Sequence, residues 1–331
     1  MRLLLLLLGI VSIQICSAQQ TEHFEPYGKP TLRMFGNVHT GLSEADDLKI
    51  FEIDRAFLGY QYFMSPNLMA EIKVDIGSPD DESVYALAKR YAYFRNAYIK
   101  YSQNGFSLSF GIVGMNHFKV QEGFWGYRYL EKSFADRFRF ARSVDMGVNA
   151  SYKINDVFLV DAAVVNGESH SQLLDINYFD YHVGATVTNI GNFTGRVSAN
   201  YEPSDNKPKM VYAFFAGYRI NEKLSIGADF NLLYNNRFFE NRNQSGYSLY
   251  STWAFNEHWK LFGRFDMLES NIPEGGTSPW NLSTDGSQIV AGFEHKVNDN
   301  LKLALNYRDW VPKAANMNNR HYIYLNVEFK L

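Results

Sequence analysis

The stretch VDMGVNASYKI, residues 144–154, decides how this chain is read. Val144, Met146, Val148, Ala150, Tyr152 and Ile154 form one set, and Asp145, Gly147, Asn149, Ser151 and Lys153 the other. That alternation is the period of a β-strand with one apolar and one polar face. Directly after it stand Asn155 and Asp156, residue types that tolerate the positive φ of a tight hairpin turn. Directly before it lies HFKVQEGFWGYRYLEKSFADRFRFARS, residues 117–143, which fits no strand pattern.

Working outward, the same alternation recurs along the chain. Leu68, Ala70, Ile72, Val74 and Ile76 oppose Glu71, Lys73 and Asp75, with Met69 the one apolar member of the polar face. Leu224, Ile226, Ala228, Phe230 and Leu232 oppose Ser225, Gly227, Asp229 and Asn231. Leu301, Leu303, Leu305 and Tyr307 oppose Lys302, Asn306 and Arg308. Short breaks carry an Asn at 67, 104, 155, 192, 221, 256 and 298, and each interval between them holds two strand-like runs and one longer polar loop. Seven short turns predict about sixteen antiparallel strands with both ends on one side. Longer loops then fall on the other side near 42–48, 79–89, 117–143, 168–180, 203–208, 236–245, 270–286 and 311–320. Short turns on one side and long loops on the other are the pattern of a transmembrane β-barrel.

Alternation alone would also suit a soluble sandwich. The ends and the composition decide against that. Arg2, the apolar run 3–15 and Cys16-Ser17-Ala18 make an export signal over residues 1–18. Its apolar run is too short to span a bilayer. Cleavage after Ala18 removes the one cysteine, leaving no thiol for a disulfide, thiolate chemistry or a Cys-bound metal. A lipidated Cys16 is the weaker reading, since Ile13-Gln14-Ile15 precedes it. No later segment is apolar for 18 residues, which excludes a helical membrane protein. Aromatic residues make up 16% of the chain, 26 Phe and 22 Tyr among them, the supply that two aromatic girdles at water–lipid boundaries require. A net charge of −3 and the lack of a basic block give no case for nucleic acid. Residues 19–30, with Pro26 and Pro30, read as a periplasmic lead-in, and 31–331 as a single barrel domain in the cell outer membrane.

A 27-residue segment in so tight a barrel needs a reason. Phe118, Phe124, Trp125, Tyr127, Tyr129, Phe134, Phe138 and Phe140 make 117–143 too aromatic for disorder, and sixteen strands leave an aqueous lumen able to hold it. The expectation is a third outer loop folded into the lumen as a constriction. Its rings would pack on the wall and Lys119, Arg128, Lys132, Arg137, Arg139 and Arg142 would project into water. Glu122, Glu131 and Asp136 answer those six cations, so the loop leans mildly toward anions. The alternative is a loop capping the barrel from outside or packing at a trimer contact, its charges merely solvated. Among the expected lumen-wall cations, Lys73, Lys100, Arg196, Arg264 and Arg308 are the candidates to touch solute. Lys153, Lys260, Lys296 and Lys302 share that wall with seven acids, so most of these charges are expected in cross-strand ion pairs.

The runs 51–60 (FEIDRAFLGY), 73–77 (KVDIG) and 95–101 (RNAYIKY), and above all 124–136 (FWGYRYLEKSFAD) with 143–147 (SVDMG), resemble the phosphate-selective porin O/P-like family over about a third of the chain. The resemblance implies a homotrimeric outer-membrane porin whose third loop folds inward and whose basic residues select phosphate. Here the loop mixes signs and the chain is shorter than those porins, which sets phosphate selection apart from porin class. The terminal strand, 321–331, alternates Ile323, Leu325, Val327, Phe329 and Leu331, and resembles the signal read by the barrel-assembly machinery. It ends on Leu rather than on an aromatic residue.

The function expected is passive diffusion of small hydrophilic solutes across a membrane of lipid and lipopolysaccharide, with no cofactor. A barrel enzyme of lipase or protease type would need a His beside a nucleophile or carboxylate. His170 with Ser171, His117 and His182 form no such motif, and there is no HExxH or Cys/His cluster for a metal. The acidic runs 44–47 and 80–82 lack the spacing of a calcium loop. A structural or adhesive barrel, its lumen plugged by packed aromatics, is the third class.

Overall fold

The computed structural model describes residues 24–43, 49–77, 91–117, 119–167 and 178–331. The export signal at 1–18, Gln19 to His23, Phe118, His170 with Ser171, and both acidic runs lie outside these residues. Within them the strands are β1 (Tyr27–Gly41), β2 (Lys49–Ser65), β3 (Leu68–Gly77), β4 (Tyr91–Gln103), β5 (Phe106–Gly114), β6 (Val144–Lys153), β7 (Phe158–Val165) and β8 (Asp180–Ile190). They continue as β9 (Phe193–Glu202), β10 (Lys209–Arg219), β11 (Leu224–Tyr234), β12 (Gln244–Ala254), β13 (Trp259–Ser270), β14 (Gly286–Lys296), β15 (Leu301–Pro312) and β16 (Arg320–Lys330). Each pairs antiparallel with its neighbour in sequence, and β1 pairs with β16, so the sheet closes on itself. Closure leaves no unpaired edge, the condition for a sheet to sit in lipid.

All seven Asn-bearing breaks separate consecutive strands, and the structure gives the reason for Asn. At Asn155, Asn221, Asn256 and Asn298 the side-chain oxygen accepts two backbone N–H groups two and three residues on, at 2.8–2.9 Å. Asn104 and Gly105 adopt φ of 49° and 81°. The turns thus carry their own hydrogen-bond partners where the ladder stops.

β1 begins at Tyr27, four residues before the expected start at Thr31. Pro30 argued against a strand there because it has no N–H. Residues 27–31 pair only with β2, Leu32 accepts from Leu331 at 2.9 Å, and the register with β16 begins at Arg33, so Pro30 costs no bond on that side.

The faces separate by chemistry. Ile72, Phe110, Val183 and Leu305 are exposed outward, while Glu71, Asp75, Arg196, Arg264 and Glu294 are buried inward. Two irregularities in register fall on charged residues. Asp54 is the extra residue where β1 meets β2, and Arg95 where β3 meets β4. Such bulges re-aim a side chain. Asp54 then accepts from Asn37, and Arg95 donates to Ser143 at the end of the long segment.

Residues 119–143 contain two short helices, α1 (Lys119–Trp125) and α2 (Phe134–Arg137). Trp125, Tyr127, Tyr129 and Leu130 pack with Phe35, Phe215, Tyr250, Phe262, Val290 and Ala304, which come from six strands. Phe134, Ala135 and Phe140 pack with Val211, Leu233 and Leu268. Wall glycines make room: a Cβ at Gly217 would lie 2.6 Å from Phe124, and one at Gly246 would strike Phe134.

Candidate functional site

The candidate site is where this segment meets the wall. Polar bonds from the wall reach its backbone at three places and one of its side chains at a fourth. The carbonyl of His117 accepts from Arg196 at 3.3 Å, that of Gln121 from the Tyr250 hydroxyl at 3.4 Å, and that of Lys132 from Arg264 at 2.6 Å. The Tyr129 hydroxyl donates to Glu294 at 2.8 Å. His117 also stacks on His182, ring centroids 5.2 Å apart.

The wall cations divide into paired and unpaired. Lys73 binds Glu71 at 2.8 Å, Arg196 grips Asp161 with two bonds of 2.7 and 2.9 Å, and Arg264 grips Asp266 with two of 2.8 Å. Lys260 and Lys302 both reach Glu294 at 3.7 Å. Among the described residues Arg308 bonds amides, Asn306 at 2.8 Å and Asn326 at 2.7 Å, and lies over the Tyr324 ring. Lys100 has no carboxylate within ion-pair distance among the described residues. Lys153 and Lys296 correct the expectation for them. Both sit at the short turns, bound to Asp156 and Asp299 at 2.6 and 2.5 Å, because turn acids three residues away are nearer than any wall partner.

In the segment itself Arg128 is held by Glu122 at 3.0 Å and Asp136 at 3.2 Å, Arg137 by Glu131, and Arg142 by Glu202 at 2.9 Å and Asp180 at 3.6 Å. These three therefore do not stand free toward water. An enclosed guanidinium is costly unless it is paired. Burial alone would raise the Glu131 carboxyl, but the charges of Arg137, Arg264 and Arg308 hold it below its usual range. Arg139 is exposed, in a left-handed conformation with φ 57°.

Lys119 and Lys132 are different. Lys119 donates to the Gly114 carbonyl at 3.0 Å and to Asn116 at 3.1 Å, and neither lysine has a carboxylate within ion-pair distance among the described residues. The Lys119 side chain is solvent-exposed, yet enclosure by the wall lowers its ammonium to about 8, with the like charges of Lys100 and Arg95 pushing the same way. Burial first, then Arg128 and Arg55, lowers Lys132 against the opposing pull of Asp136. Arg95 likewise lacks an acidic partner among the described residues. Four unpaired cations, Arg95, Lys100, Lys119 and Lys132, thus belong to β4 and the segment.

Sequence reasoning missed Arg33, Arg55 and Arg95. Arg55 pairs with Asp75, and Arg33 with Glu328 at the closure. Arg95 sits in a bulge, which leaves no signature in the alternation.

A family model described as beta-barrel porin-2, OmpL-like matches residues 137–322, more than half of the chain. The chain belongs to that family. It is an outer-membrane β-barrel of the porin type. The family matched is not the phosphate-selective O/P group that the loop motif resembles, and what the two share is the porin class. No curated protein matches the chain. Among solved structures it is similar to the outer-membrane channel DcaP of Acinetobacter baumannii, at 11% identity and TM-score 0.71, covering 95% of this chain and all of that one. Pseudomonas putida OprB follows at 11% and 0.68, covering 92% and 94%, and Salmonella typhi OmpF in complex with daunomycin at 12% and 0.65, covering 92% and 97%. At such identities these likenesses carry the fold alone.

Proposed function

We propose that this barrel is a passive diffusion channel for small hydrophilic solutes, with segment 117–143 lying inside the lumen as its constriction and a mild preference for anions. One observation carries the reading. The segment's rings pack on wall residues from many strands, while Lys119 and Lys132, with Lys100 and Arg95 of β4, have no carboxylate within ion-pair distance among the described residues. Cations left unpaired in a narrow, low-dielectric surround attract anions into it. Phosphate is the anion to try first, given the loop motif.

Residues 1–18 act as a cleaved export signal on this reading, and the mature protein begins at Gln19. Mass spectrometry of the native protein checks that. The alternating β16 supports recognition by the barrel-assembly machinery. A homotrimer is supported by a trimer form of Vibrio cholerae OmpT, similar to this chain at 13% identity and TM-score 0.60 over 93% of this chain and all of that one.

Planar-bilayer recording tests the function. Steady ohmic steps, with a reversal potential in a KCl gradient displaced toward the anion side, are expected. Replacing Lys100 and Lys119 by Met should move that potential toward zero. Block by added phosphate would assign phosphate. The packed rings also favour a second reading, a barrel closed by its own segment, and folded protein that gives no steps would select it.

A further inference from the structure

Beneath α2 the inward face carries a polar row that the channel reading does not use. Asp229, Ser248, Asp266 and Gln288 are register partners across β11, β12, β13 and β14, and Asn231 lies two residues beyond Asp229 on the same face. All five are at least nine-tenths buried. Arg264 neutralises Asp266. Asp229 has no ion-pair partner among the described residues, so two carboxylates face one guanidinium and, when both are ionised, one negative charge is left over. Asp229 Oδ1, Asn231 Oδ1 and Ser248 Oγ are buried without a hydrogen-bond partner. Gly246, the register partner of Asn231, is covered by the Phe134 ring, which closes the place from the segment's side. One residue earlier, Ser133 Oγ is buried and also unpartnered.

Every one of these orphan atoms is an oxygen. A buried carboxylate without a counter-charge is expensive, and so is each unmet acceptor. The Ser248 hydroxyl could give its hydrogen to one acceptor and a proton on Asp229 to another, but as placed none of the three groups bonds a neighbour. A cation satisfies several oxygens together and supplies the missing charge. We propose that Asp229, Asn231 and Ser248 hold a hard cation, calcium or sodium, between the wall and α2. Carboxylate, amide and hydroxyl oxygens are the donors such ions take, with water completing the shell. A site made only of Asp, Asn and Ser on two strands has no His or Cys spacing to announce it. The ion would fix α2 to β11 and β12 by joining oxygens that make no hydrogen bond of their own. It rests on packing and charge, and fails separately from the channel reading.

The test uses the full folded barrel in detergent, stripped with EDTA and dialysed into choline chloride. Its thermal unfolding midpoint is followed by the mobility shift of folded against unfolded protein on a gel. CaCl2, NaCl and additional choline chloride are compared at equal ionic strength. A midpoint raised by CaCl2 alone assigns calcium, and one raised by NaCl over choline assigns sodium. In either case Asp229→Asn must lose the response, and Ser248→Ala must weaken the ion by about tenfold or more, the scale of losing one supporting group at a metal site. Terbium gives a second readout, since Trp125 lies beside Arg264, at 5.3 Å. Sensitised emission should saturate at one ion per chain, fall on adding calcium and vanish in Asp229→Asn. Equal midpoints in all three salts without terbium emission would overturn the site, leaving a proton or water there. An unchanged response in Asp229→Asn or, should that variant not fold, in Ser248→Ala would place the ion elsewhere and equally overturn it.

Discussion

Arg264 shows how one side chain joins the wall to the segment. It holds Asp266 with two bonds, the Lys132 carbonyl with a third, and lies over the Trp125 ring. Arg264→Met strands Asp266 and the carbonyl together. Removing one member of a buried pair typically costs about 3–5 kcal/mol. The unfolding midpoint in denaturant should fall accordingly, and channel noise should rise as the segment loosens. Lys119 gives a different kind of prediction. An ammonium lowered to about 8 is charged at pH 6.5 and largely neutral at pH 9.5. Anion preference, read as reversal potential, should decline across that window as pH rises. Lys119→Met should start low and stay flat below pH 8. A decline of equal size in the variant would assign the titration to another group.

At the scale of elements, the segment is held by complementary shape, rings seated over wall glycines. Phe134→Ala empties the place above Gly246, and a lost buried Phe costs about 3–5 kcal/mol. Much of that should appear as movement of the segment, because the barrel ladder does not run through it. Larger and noisier conductance with an intact heat-resistant barrel is the expected result. The turns were legible in the sequence because their chemistry is local: an Asn whose own oxygen meets the freed N–H groups announces itself. The strands were legible because each face has one solvent. What could not be read were contacts between the segment and the wall, and which side chains a hairpin sets opposite each other. Arg142 with Glu202 joins residues 60 apart, and Asp229 opposite Ser248 depends on the exact register of β11 and β12. Bulges were equally silent, since Arg95 breaks an alternation that reads the same on either side of it. Pro30 misled for the opposite reason, a strong local signal overridden by the absence of a neighbour on that side.

For the whole molecule the decisive contact is the seam between β1 and β16. Arg33 and Glu328, 295 residues apart, bond across it. Deleting 320–331 removes β16 and exposes two edges at once, so no heat-resistant barrel and no channel steps are expected from that protein. A shorter barrel closed by β15 and β1, with steps of smaller size, would contradict this. Contacts so far apart in sequence make a chain slow to complete, since the entropy of closing the loop must be met before the last ladder forms. The seam has a consequence for the cell that makes the protein. A polypeptide cut short by a stalled ribosome lacks the eleven residues of β16, and with them the means to close. Chains truncated in this way therefore cannot form the closed sheet at all, whatever length of the other strands they carry.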